Sequence, residues 1–119
     1  MKVDPEIENA QKELCLKYNA EFLPSRTGSM SAFARSTQGK MPINGLRHPA
    51  TEGTSGWFIW CGESFSESKD FFQPLHTFHI HEEFPEVSNL LGLPPGYRFL
   101  KAGDYLDIWY DPALLDVDG

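Results

Sequence analysis

The 119 residues are 40% hydrophobic, 23% charged and 13% aromatic, which sustains one hydrophobic core and excludes low-complexity disorder. The formal net charge of −7 is unevenly placed: residues 1–50 hold seven Lys/Arg against five Asp/Glu, and residues 51–119 hold three against twelve. An acidic second half repels nucleic acid and anionic lipid, and suits either a basic partner or a solvated surface.

The N-terminal segment starts well as a helix, with Asp4 as cap and Pro5 at the first helical position. Ile7, Ala10, Leu14 and Tyr18 then form one apolar stripe at helical spacing, and Leu23-Pro24 and Gly28 close the unit. Residues 30–37 have weak strand character. Residues 38–55 are rich in Gly, Pro, Asn and Thr, and Asn44-Gly45 between Pro42 and Pro49 predicts an ordered loop. Trp57-Phe58-Ile59-Trp60 reads as a strand covered on both faces.

Residues 76–91 read as a helix broken at Pro85, with a short second helix stopped by Gly92. Strands over 97–101 and 104–110 follow, joined across Ala102-Gly103 as a hairpin. In the second of these, Leu106, Ile108 and Tyr110 alternate with Tyr105, Asp107 and Trp109. The pieces sum to a single α+β domain over residues 1–119. Its parts are a small, mainly antiparallel sheet of about four strands, an N-terminal helix, and a broken helix before the final hairpin.

No apolar stretch approaches the ~20 residues of a membrane span. Residues 1–6 lack the apolar run of a signal peptide, and Cys15 and Cys61 sit in apolar text as free thiols. The expected location is the reducing cytoplasm.

Catalytic text is sparse. There is no Gly-x-Ser-x-Gly elbow and no phosphate-cradling glycine loop. Cys61 in apolar surroundings makes a poor nucleophile, and Arg35, Arg47 and Arg98 are too scattered for a nucleic-acid stripe. The chain is not expected to be an enzyme.

The sharpest chemical candidate is His76, His79 and Glu83, which share a helical face at i, i+3 and i+7 and could hold zinc. The alternative is an amphipathic helix packed through Phe78 and Ile80. Lacking a Cys-x-x-Cys or a convincing fourth ligand, the sequence is expected to need no metal or cofactor. Asn44, Arg47 and His48 form a second candidate set, polar side chains held between prolines as in a recognition loop. Their alternative is turn chemistry, with Arg47 paired to a local acid. Trp57, Trp60 and Trp109 read first as core, although tryptophan is also enriched at binding hot spots.

Four strings carry a resemblance: Pro42-Ile43-Asn44-Gly45-Leu46-Arg47-His48-Pro49, Gly56-Trp57-Phe58-Ile59-Trp60-Cys61-Gly62-Glu63, Asp70-Phe71-Phe72-Gln73-Pro74-Leu75-His76 and Leu91-Gly92-Leu93-Pro94-Pro95-Gly96-Tyr97-Arg98-Phe99-Leu100. In this order, over residues 30 to 115 or so, the text resembles the immunity-protein 33 domain family. That family is assigned to bacterial polymorphic-toxin systems, where a small cytoplasmic protein neutralises a cognate toxin. A Trp-Cys pair usual before the Pro-Glu step is replaced here by Phe84 before Pro85-Glu86.

The resemblance implies a role and brings no catalytic residues. With the charge pattern, it leads us to expect a toxin-neutralising protein acting by tight binding. Its acidic half would face a basic toxin such as a nuclease, without nucleic-acid or membrane contact, as a monomer or weak dimer. The expected partner-binding residues are Tyr105, Asp107, Trp109 and Asp111, with Asn44, Arg47 and His48 as loop candidates. The alternative is a metal- or ligand-binding accessory domain built on segment 76–83.

Overall fold

A computed structural model describes residues 5–25, 28–64, 66 and 70–116. Asp4, the expected helix cap, and Asp118 of the acidic tail lie outside them. Helix α1 (Pro5–Lys17) precedes strands β1 (Met30–Phe33), β2 (Ile43–Arg47), β3 (Thr54–Cys61) and β4 (Gln73–His76). Helix α2 (Thr77–Glu83) and a 3-10 segment (Pro85–Leu90) lead into β5 (Tyr97–Ala102) and β6 (Tyr105–Tyr110). The fold class is α+β as expected. The sheet, however, has six strands in the order β4-β1-β3-β2-β5-β6, not about four. It is mixed: β1 runs parallel to β3, and the other neighbours are antiparallel.

Two strands account for the difference. The expected loop around Asn44-Gly45 contains β2, a central strand paired with β3 and β5. Gly45 is there for space, because a Cβ at this position would overlap the Phe99 ring on the neighbouring strand. The other is β4, a short edge strand containing Pro74, whose missing N–H is tolerated only at an edge. The hairpin link also falls one residue later than expected, at Gly103-Asp104, with Ala102 paired to Tyr105.

Alternation along the strands makes two unlike faces. One turns Phe33, Ile43, Trp57, Ile59, Cys61, Leu75 and Phe99 into the main core. α1, α2 and the 3-10 segment cover it with Leu14, Cys15, Ile80, Phe84, Val87 and Leu90. Of the expected α1 stripe, Leu14 and Tyr18 pack on this core while Ile7 and Ala10 stay half-buried outside it, and Gln11 joins by donating from Nε2 to Ser88 O at 2.9 Å. The chain does break at Pro85, where α2 gives way to the 3-10 segment. Both cysteines are free and buried, and burial raises both thiols above their ordinary pKa.

Arg47 is the unexpected member of this core. Only 4% exposed, it pairs with no acid among the described residues. Its Nη1 donates to Leu23 O and Leu93 O, each at 2.7 Å, and its Nε donates to Ser55 O at 2.9 Å. Burial lowers its pKa to about 10. A guanidinium suits this position because its fork of donors ties three chain segments together.

Candidate functional face of the sheet

Among the described residues the second face carries no α-helix, only the 3-10 turn Pro112–Leu115. Its cover is a small cluster of Ala34, Leu46, Trp60 and Leu114, with Phe58, Phe71 and Phe72 packed beside it. Phe72 stands edge-on to Phe58 and to Trp60, at centroid distances of 5.2 and 6.1 Å. Near the β4 side the face hollows into a groove of about 750 Å³. Met30, Ala32, Phe58, Phe72 and Pro74 give it an apolar floor, and His48 stands in its wall. The His48 ring lies edge-on to Phe58, and its Nδ1 donates to Leu114 O at 2.9 Å, which sets the tautomer because a carbonyl only accepts.

At the β6 side the same face ends in a different surface. Tyr105, Asp107 and Trp109 point outward from alternate positions, with Tyr105 60% and Trp109 38% exposed. Trp109 therefore stands outside the core, whereas Trp57 and Trp60 are in it. Across the β5–β6 register Trp109 lies opposite Arg98, Asp107 opposite Leu100 and Tyr105 opposite Ala102. The Arg98 guanidinium sits 5.7 Å from the Trp109 ring centroid and 3.2 Å from Asp111 Oδ2.

Asp111 thus differs from its three companions. Besides meeting Arg98, it caps the turn Pro112–Leu115 by accepting from Ala113 N at 3.1 Å. Its carboxylate is engaged within the chain, which leaves Asp104, Asp107 and Asp116 as the exposed acids of the region among the described residues.

The expected recognition loop is not assembled as a loop. Asn44 lies on β2 and donates from Nδ2 to the carbonyls of Pro42, Trp60 and Gly62. Arg47 points to the opposite, covered face. Of the three, only His48 borders the groove.

Segment 76–83 does not gather its three candidate ligands. His79 pairs with Glu82 at 3.3 Å, Glu83 reaches Arg35 at 3.7 Å, and the rings of His76 and His79 are 6.1 Å apart. His81 turns inward instead, with Nδ1 bonded to Ser88 Oγ at 2.9 Å and its pKa lowered by burial. No group of three or more metal-ligating side chains occurs among the described residues.

The β6 triplet was legible from alternation. The groove was not, because Met30, Phe58 and Phe72 come from separate segments. The one available hint was the doubly apolar text of β3, which requires something to cover each of its faces.

Residues 10–111 match the family model described as the Imm33-like domain. No curated protein and no solved structure matches the chain. Among the described residues, no helix is long and apolar enough to cross a membrane.

Proposed function

The chain belongs to the Imm33-like domain family, an immunity-protein family that neutralises toxins, and we propose that it works by covering its cognate toxin with the open face of the sheet. One observation carries this reading: Tyr105 and Trp109 stand exposed on either side of Asp107, on a face that no α-helix covers among the described residues. Exposed aromatic side chains of this kind are typical anchors of protein–protein interfaces. The exposed acids beside them, in a half of the chain rich in Asp and Glu, favour a basic toxin such as a nuclease. The role is occlusion and needs no catalytic group.

Asp107 and Trp109 contribute differently. A rim carboxylate draws a basic partner in, so it acts on the association rate and is screened by salt. An aromatic anchor fills a pocket on the partner and holds the complex, so it acts on dissociation. Arg98 and Asp111 belong to the support, because their ion pair fixes the base on which the Trp109 ring rests.

The test uses the toxin domain encoded beside this chain's gene, with binding followed by stopped flow. Asp107→Lys slows association by about tenfold at low salt, and the effect fades as salt rises. Trp109→Ala accelerates dissociation by about thirtyfold and barely responds to salt. Unchanged kinetics in both variants move the interface off this face, and no binding by the wild-type protein overturns the immunity reading.

A further inference from the structure

Strand β6 ends the sheet, and among the described residues no strand pairs with its outer edge. The hairpin determines which of its backbone groups are free. Its link, Gly103-Asp104, has two residues, and Gly103 takes φ 59 at the first central position as a type II′ turn requires. In such a hairpin the residues closing the turn exchange both hydrogen bonds, and alternate pairs along the ladder do the same. Tyr105, Asp107 and Trp109 therefore turn their N–H and C=O toward β5. The bond from Asp111 N to Gly96 O keeps this phase at the far end. Leu106, Ile108 and Tyr110 are left pointing their N–H and C=O outward.

The two edges of the sheet are unlike. β4 is four residues long, and its Pro74 offers no donor, a common way of protecting an edge. β6 is six residues long, has no proline or lysine, and pairs with β5 without a bulge. On its helix-covered side, Leu106 and Ile108 are only half-buried.

We infer that β6 takes an extended segment of the toxin as a seventh strand of the sheet. The incoming segment alternates apolar side chains, laid beside Leu106 and Ile108, with basic ones laid beside Asp107. Main-chain hydrogen bonds supply the attachment and the alternate side chains its selectivity. This inference rests on the immunity reading above.

Charge selects the occupant. A second copy brings a net charge of −7 against −7. If its Leu106 lay opposite Ile108, Asp107 would meet Asp107, a like-charge pair that destabilises a ladder. A basic strand meets the same carboxylate favourably.

Amide hydrogen exchange, read by NMR, tests this on the chain alone and on its complex with the neighbouring gene's toxin domain. In the free chain the amides of Leu106, Ile108 and Tyr110 exchange fast, while those of Asp107 and Trp109 are slow. In the complex the first three slow by about 100-fold or more. Ile108→Pro deletes an outward donor and spares the bonds of Asp107 and Trp109 to β5, so it weakens binding by about 100-fold, whereas Ile108→Val does not. If the proline variant does not fold, the exchange pattern decides alone. A complex in which the three amides stay fast overturns edge docking and leaves the immunity reading standing. Absence of any complex overturns both. Concentration-dependent protection of these amides in the free chain assigns the edge to a second copy and overturns the inference.

Discussion

Trp57 and Trp109 show how differently the two faces of this sheet are used. Trp57 is 1% exposed, donates from its indole nitrogen to Leu91 O at 3.1 Å, and packs against Phe99. Trp109 is 38% exposed and rests on Arg98. On the covered face even polar groups serve cohesion: Gln11, Ser25 and Arg47 all donate to backbone carbonyls of distant segments. On the open face at β6, Tyr105 and Asp107 project into solvent. The covered face holds the main core and the cluster around Trp60 holds a smaller one, so the exposed side chains at the β6 end of the open face do little for the fold.

The largest expected effect tests that division directly. Trp57→Ala removes a buried indole and its hydrogen bond, and should lower unfolding free energy by about 3–5 kcal/mol. Trp109→Ala should cost under about 1 kcal/mol in the same urea titration. Similar losses for the two variants would break the comparison.

Arg47 sharpens it with a somewhat smaller effect. Arg47→Met keeps a long side chain but strips donors from the carbonyls of Leu23, Leu93 and Ser55. Buried acceptors left bare cost about 1–3 kcal/mol each, partly relieved by water, so a total near 3 kcal/mol is expected. Arg98→Met, which breaks a partly exposed ion pair, should cost under about 1 kcal/mol. Equal losses would mean that Arg47 contributes no more than a surface cation.

The sequence revealed what is local. The stripe of α1, the break at Pro85, the final hairpin and the outward row Tyr105, Asp107, Trp109 each follow from neighbours a few residues apart. β2 and β4 are strands because of distant partners. Asn44-Gly45 carries a turn signal, yet the Asn44 amide is taken up by Trp60 O and Gly62 O, and Gly45 is needed beneath Phe99. Pro74 hides β4 until the sheet is known to end there. The same limit applies at the site. Asp111 looks like one more free acid in an acidic tail until Arg98, thirteen residues earlier, is brought beside it.

The smallest expected effect concerns acid, and it belongs to the covered face although histidine is often read as a surface group. His81 has its Nε2 buried with no hydrogen-bond partner among the described residues, and burial lowers its pKa. The unfolded chain takes up this proton near pH ~6.5, and the folded chain only at lower pH. Between the two values the unfolded state binds more protons, so stability is full above the unfolded pKa and falls as pH drops toward the folded one. His81→Gln keeps a polar partner for Ser88 and cannot titrate, so its urea midpoint should decline less than wild type between pH 7 and 5. The open face contributes nothing to that difference, so Trp109→Ala should retain the wild-type slope. If His81→Gln keeps the wild-type slope as well, the acid response arises from carboxylates and the covered layer carries no histidine-linked term.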